Sequence, residues 1–375
     1  RSFSSSSFSI KNNSNNIQSI PVAQVDANYT GDYAKLSAKT TTFVGNSNFD
    51  LSVTYNPSQN TSVGWLNYME LNARRELKMS GHQMLFRDIR SVGDSANAKF
   101  VISNSNSNLS VWDVTNPIKV TERNANYSSN QTTFIASTDS LKEYLVFNGD
   151  SYYSAELIGK ISNQNLHGSD DDVEYVIVSH ADFLLAANDL AQYHEQRDGI
   201  KTIVVTPQEI YNEFSSGAQD ITAIRDFLRM FYKKPSNKLK YLLLFGDASY
   251  DPLSRITNNT NFVPSYQSNN SVSPTDSYVT DDYFGLLDDM EGNFANDLVD
   301  IGIGRFPVPT LNQANNMVQK VKDYNGKMSF GDWRNKVTFV ADDGDAGDGN
   351  THMWQADSLA NIIDDNYTNI NIKKI

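Results

Sequence analysis

The sequence predicts a multidomain chain in which an N-terminal all-β, sandwich-like region is followed by a doubly wound α/β domain that is cut short. Three observations carry that reading. From Val22 to Ile161, short apolar runs alternate with Asn, Ser, Gly and Asp. From Asp170 onward, longer apolar runs alternate with amphipathic helical stripes. The charge divides at the same place: residues 1–170 hold 14 Lys and Arg against 14 Asp and Glu, and residues 171–375 hold 17 against 30. The implied boundaries are a tail or linker over 1–20, a β-rich domain over 21–168 and an α/β part over 171–375.

Residues 2–16 contain seven Ser and four Asn, the composition of a flexible tail. Lys39–Val44, Phe49–Tyr55, Ala98–Ile102, Leu109–Val114, Thr132–Ser137 and Glu143–Phe147 read as strands, with turn signals every ~8–12 residues. Trp65–Leu77 breaks the rhythm and reads as strand and connection, a short helix being the alternative. In the second half, Val173–Ser179 is a continuous apolar strand. A helical stripe of Phe183, Leu184, Ala187, Leu190 and Ala191 follows and ends at Gly199. Lys201–Thr206 is the next strand, and Pro207 opens a helix at a position proline tolerates. Ile224, Phe227, Leu228 and Phe231 mark a further helix, and Leu239–Phe245 a third strand. Leu298–Phe306, a helix around Ala314–Val321, Val337–Val340, a helix around Ala356–Ile363 and Ile370–Ile375 complete the pattern. Strands alternating with helices imply βαβ units, a parallel sheet and right-handed crossovers. A chain closing on a strand, and opening on Arg1 without a charged-then-apolar segment, reads as a processed product or a fragment.

Composition narrows the chemistry. The chain has 375 residues, a net charge of −13 and no Cys. Disulfides, zinc ribbons and a thiol nucleophile are excluded within these residues. The acidic balance argues against nonspecific nucleic-acid binding, which needs Lys and Arg to neutralise phosphates. No apolar run is long enough for a membrane-spanning helix. Neither GxGxxG nor GxxxxGK[ST] occurs, so nucleotide binding is unsupported. Acids concentrate in 256–304 and 337–372, which hold no Lys or Arg. They read either as solvated loops or as carboxylates converging on calcium, a cation that takes oxygen ligands.

In open α/β sheets ligands bind beyond the carboxyl ends of the strands. Those ends carry Ser179-His180, Gly246-Asp247-Ala248-Ser249, Gly304-Arg305 and Ala341-Asp342-Asp343-Gly344-Asp345. Asp247 is a candidate substrate contact. Arg305 reads either as a carboxylate clamp or, preferably, as half of a buried ion pair. None of His82, His167, His180, His194 and His352 stands out by spacing as a catalytic base. A Ser249/His352/Asp343 triad lacks the GxSxG elbow that exposes such a serine.

Several segments together resemble a known family. VEYVIVSHADF, LAQYHEQRDGIKTIVVT, LKYLLLFGDASYDP, TDDYFGLLDD, LVDIGIGRFPV and FVADDGD are similar to the first part of a gingipain-like C25 cysteine peptidase domain. With WLNYMELNARRELKM, QMLFRD and VWDVT, they resemble in particular the signal peptidase and sortase branch of the type IX secretion system of Bacteroidota. The resemblance covers about residues 60–375 and implies a caspase/gingipain-like fold. It also implies a catalytic His and Cys later in the chain than Ile375, so that these residues alone are inactive. Asp343 then matches the acid that orients the catalytic His, with Asp342 the nearest substitute. His352, allowing one residue of gap, takes the place of the acid that binds a P1 Arg, which implies loss of trypsin-like specificity. Calcium sites known in the wider family make Asp281, Asp282, Asp288 and Asp289 the candidate ligands. The implied partners are the C-terminal signal domains of exported cargo, the outer-membrane β-barrel protein PorV and a lipopolysaccharide acceptor, at the cell surface. The competing expectation is a non-enzymatic surface module whose β-region binds a partner or glycan. A downstream reading frame carrying Gly-His-Gly and then a Cys at a strand end would separate the two.

Overall fold

A computed structural model describes the chain except residues 29, 46–47, 150–151, 158, 293–296 and 345. It divides into two compact units: one joins Arg1–Gly64 to Asn163–Ile375, and the other is Trp65–Ser162.

The chain opens with structure where a flexible tail was expected. Strands β1 (Ser6–Asn12) and β2 (Asn15–Val22) form a hairpin, and β3 (Leu51–Asn56) pairs on the other side of β1. The Ser-rich composition conceals a period of two. Phe8 and Ile10 alternate with serine, Phe8 lies opposite Ile20 and Tyr55, and its ring sits 4.9 Å from that of Tyr55. Lys39–Val44, expected as a strand, has no regular structure.

The Trp65–Ser162 unit holds β4 (Gln83–Arg87), β5 (Asn97–Ser103), β6 (Leu109–Asp113), β7 (Thr121–Glu122), β8 (Asn126–Ser128), β9 (Gln131–Ser137) and β10 (Glu143–Asn148). They form two antiparallel sheets, β4-β10-β6-β7 and β5-β9-β8. Alternate residues of both sheets share one core: Phe100, Ile102, Phe134 and Ala136 meet Leu109, Val111, Tyr144 and Val146. Asn130 and Ser129 adopt positive φ in the tight β8–β9 turn, a conformation Asn tolerates. The Trp65–Leu77 segment is neither strand nor helix.

The second half contains β11 (Tyr175–Ser179), α1 (Leu184–Asp198), β12 (Thr202–Val205), α2 (Pro207–Phe214), α3 (Ile221–Tyr232), β13 (Tyr241–Phe245), the short pair β14 (Tyr266–Gln267) and β15 (Val279–Thr280), β16 (Gly302–Phe306), α4 (Leu311–Asn325), β17 (Lys336–Phe339), α5 (Thr351–Asn366) and β18 (Asn371–Lys374). Strands β12-β11-β13-β16 make one parallel sheet. Because successive side chains alternate faces, Val176, Val178, Leu242 and Leu244 pack under α2 and α3, whereas Ile177, Leu243 and Phe245 pack under α1 and α4. Thr206 and Glu209 close a capping box at the start of α2, with Pro207 in the first turn. Gly199, at φ 68°, ends α1 in the left-handed conformation.

The fifth and sixth strands do not extend this sheet. β17 and β18 pair in parallel only with each other, α5 forming the crossover. The acidic entry to β11 is neutralised at the amino ends of the strands. Lys201 bridges Asp170 and Asp172 at 2.8 and 2.6 Å, Lys234 holds Asp171 at 2.8 Å and Lys240 holds Glu174 at 2.5 Å.

Candidate functional site

The carboxyl end of the parallel sheet is built around Arg305 on β16. Its Nε and Nη2 grip both oxygens of Asp281 at 2.7 Å, Nη1 donates to the carbonyls of Gly246 and Val263 at 2.8 Å, and Nη2 also reaches that of Pro264 at 3.1 Å. These contacts use all five guanidinium N–H groups, so no donor is left to clamp a substrate carboxylate. The ion-pair reading of Arg305 holds, and Asp281 is its partner. Gly246 turns the chain out of β13 at φ 154°, and a Cβ there would lie 2.9 Å from that of Phe262.

Asp247 is spent on its own loop: its carboxylate accepts from the Ala248 N–H at 3.0 Å and the Thr260 hydroxyl at 2.8 Å. His180 caps the turn into α1, accepting from the Asp182 N–H at 3.3 Å, with its ring 4.6 Å from that of Phe262. Ser249 accepts from the Asp251 N–H through Oγ at 3.1 Å and makes no hydrogen bond to Asp343 or His352.

The four proposed calcium ligands are not brought together. α3 and the residue that caps it, Lys233, present Arg225, Arg229, Tyr232 and Lys233 at i, i+4, i+7 and i+8, and this polar stripe holds the 283–291 loop. Arg225 donates to the carbonyls of Leu286 and Glu291 at 2.6 and 2.7 Å. Arg229 reaches the Leu287 carbonyl at 3.1 Å and Asp289 at 2.5 Å, and Lys233 joins it on Asp289. The hydrogen bond from Lys233, followed by that cation's charge and the charge of Arg229, holds the Asp289 carboxyl below its ordinary range. Tyr232 Oη lies 3.2 Å from both Asp288 and Asp300, and burial together with these carboxylates pushes its pKa up to about 12. Asp281 belongs to Arg305, and Asp282 is exposed. Among the described residues no group of three or more His, Asp or Glu is arranged to hold a metal ion.

Beyond β17, Asp342 and Asp343 are both exposed, and the Asp342 carboxylate accepts from the Asp343 N–H at 3.0 Å. His352, in the first turn of α5, points Nε2 at Asp348 across 3.0 Å. Asp343 and His352 thus sit at the carboxyl end of β17 and the start of the following helix, while Asp345 lies outside the described residues.

One charged residue that sequence reasoning passed over organises the return from the Trp65–Ser162 unit. The Glu213 carboxylate on α2 accepts from the Leu166 N–H at 2.7 Å, the Gln164 amide at 2.9 Å and the His167 N–H at 3.2 Å, and pairs with His167 Nδ1 at 2.7 Å. The His167 ring stacks on Phe214 at 4.5 Å. Burial would raise the Glu213 pKa, but these hydrogen bonds outweigh it and bring it down to about 2. Only a carboxylate on the polar side of an amphipathic helix hinted at this anchor.

A parallel sheet covered by helices on both faces, whose carboxyl end carries an Arg–Asp pair, together with an exposed acid-rich turn after the separate strand β17, defines a class. The profile of peptidase family C25 matches residues 168–375, more than half of the chain, and the chain belongs to that family. It has no cysteine, so these residues supply no thiol of their own. Over 89% of its length it is similar to PorU from Porphyromonas gingivalis, whose crystal structure is described as dimeric and latent, at 26% identity and a TM-score of 0.71. It covers 33% of that protein and so spans about one third of its length. The complex of the pro- and mature domains of RgpB from that organism, and the Arg-specific cysteine proteinase gingipain R, align over 54% and 55% of this chain at 18% identity. Their TM-scores are 0.36 and 0.38, and 41% of each is covered. No curated protein matches the sequence. Among the described residues no helix is long and apolar enough to cross a membrane.

Proposed function

We propose that these residues are part of a type IX secretion signal peptidase and sortase. Such an enzyme removes the C-terminal signal of exported cargo and passes the acyl group to water or to an amine on anionic lipopolysaccharide. The observation that carries the reading is the similarity to PorU over 89% of the chain. On this reading the two antiparallel sheets are a sandwich-like N-terminal domain, and the second half is the start of a doubly wound, gingipain-like catalytic domain. A Cys thiolate outside these residues attacks the scissile carbonyl, and a His, also outside them, protonates the leaving amine. Asp343 orients that His and stabilises its cationic form. His352 lines the P1 side, where an imidazole paired with Asp348 cannot grip an arginine bidentately as a carboxylate does. The enzyme works at the outer-membrane surface, retained through PorV, and like its relative it forms a dimer.

The test compares the purified 375 residues with the longer product of the gene on a peptide spanning a cargo signal junction. Cleavage by the longer product, its loss in Asp343→Ala and no cleavage by the 375 residues are expected. Cleavage by the 375 residues alone overturns the assignment of nucleophile and base.

A further inference from the structure

We propose that the loop from Tyr324 to Lys336 binds an anionic saccharide, a sugar chain bearing carboxylates or phosphates. The inference deepens the acceptor half of the reading above and rests on it for a glycan being the partner. Charge singles this loop out. From Lys320 to Lys336 there are five Lys and Arg against Asp323 and Asp332, in a chain of net charge −13. In sequence it is preceded by 256–304 and followed by 337–372, which hold acids and no Lys or Arg. Lys322 is held by Asp189 at 2.7 Å, but Lys327, Arg334 and Lys336 pair with no carboxylate among the described residues.

Three aromatic rings gather on one of these cations. The guanidinium carbon of Arg334 lies 4.3 Å from the ring centre of Tyr324, 4.5 Å from that of Phe330 and 5.5 Å from that of Trp333. Its Nη2 donates to the Tyr324 carbonyl and to the Ser329 hydroxyl at 2.6 Å, which fixes the group at the end of α4. Nε and Nη1 donate to nothing among the described residues. Yet the rings are not buried around the cation: Tyr324, Phe330 and Trp333 leave 52%, 68% and 54% of their surface in water. At ~200 Å² for an aromatic side chain, that is roughly 350 Å², the size of patch that marks a binding site.

The chemistry of these groups selects the ligand. Aromatic rings pack against the C–H faces of sugars by dispersion, and Arg and Lys take carboxylates or phosphates. Lys327 opens the short helical turn that ends at Phe330, and Lys336 caps the one that holds Trp333 and Arg334. An anionic bilayer offers similar groups, but a plane confronts the net negative charge of the whole chain. A sugar chain need touch only the loop.

Calorimetry should show the 375 residues and the longer product of the gene binding oligogalacturonate or a phosphomannan, with neutral dextran at least ~10-fold weaker. Phe330→Ala and Trp333→Ala should each weaken binding about 10-fold with unchanged circular dichroism. Lys327→Gln/Lys336→Gln should flatten its salt dependence. No binding of either probe, or binding that these variants leave unmoved, overturns the site. So does binding by the 375 residues but not by the longer product, because the loop is then covered by the rest of that product. Equal affinity for a single-stranded oligonucleotide or for phosphatidylglycerol vesicles, lost in the same variants, overturns the saccharide as ligand. If the longer product binds the probes but cleaves no signal junction, the peptidase reading falls and the site stands.

Discussion

Replacing Glu213 by Gln should release the segment 164–167 from α2 while keeping the shape of the side chain. The carboxylate accepts from four donors, the N–H groups of Leu166 and His167, the Gln164 amide and the His167 ring, at 2.7–3.2 Å. A carboxamide offers one oxygen and turns an NH2 toward the others, so at least two donors lose their acceptor. The native pKa of about 2, against an ordinary 4.5, sets an upper bound near ~3 kcal/mol. Glu213 is 16% exposed, and water screens part of that, leaving about 1–2 kcal/mol. The sign follows from the lowered pKa: the stabilisation is complete above about pH 4.5 and disappears as pH falls toward 2. Hydrogen exchange at neutral pH should show the Leu166 and His167 amides roughly 5–30-fold less protected in Glu213→Gln. Urea midpoints of the two proteins should converge as pH falls from 5 to 2. Unchanged exchange at these amides, or a difference in midpoint that ignores pH, would refute the reasoning.

Three further outcomes are expected. Arg305→Lys cannot reproduce five donors and leaves Asp281 and three carbonyls under-satisfied, so a loss of about 2–4 kcal/mol should appear in urea unfolding; a loss below ~1 kcal/mol would deny the pair its structural role. Gly246→Ala forces a side chain into positive φ and against Phe262, and should lower the thermal midpoint by several degrees, a change absent in the neighbouring Ala248→Ser. Calcium at Asp281 or Asp289 must compete with Arg305, Arg229 and Lys233, so melting with calcium and with chelator should coincide; a calcium-dependent rise would show ligands gathered elsewhere.

The parts of the fold legible in the sequence were those written in local periodicity. Ile224, Phe227, Leu228 and Phe231 recur at helical spacing and all four are buried, and Val176–Val178 forms the continuous apolar run of a strand covered on both faces. The β1–β2 hairpin was hidden because an average over Ser and Asn erases the alternation of Phe8 and Ile10. Loop chemistry was not legible, since its partners are far apart in the chain. Asp281 meets Arg305 across 24 residues and Asp289 meets Arg229 across 60, and no local pattern encodes either pairing. Two of the acids offered as calcium ligands, Asp281 and Asp289, are paired in this structure with β16 and α3. The roles of Asp343 and His352 came from the resemblance; both side chains are exposed, and His352 is paired with Asp348.

The discontinuity of the larger unit sets an order on synthesis. Residues 1–64 leave the ribosome first, but the rest of their unit begins only at Asn163, after the whole Trp65–Ser162 segment has emerged. At 5–20 residues per second that is a delay of roughly 5–20 s, long against the folding of a small β unit. The inserted unit can therefore be complete while the N-terminal sheet still lacks its later contacts, such as the Tyr33 N–H to the Val272 carbonyl at 2.6 Å. Because all three strands of the β2-β1-β3 sheet lie within residues 6–56, its strand pairing needs nothing made later and can be in place through that interval.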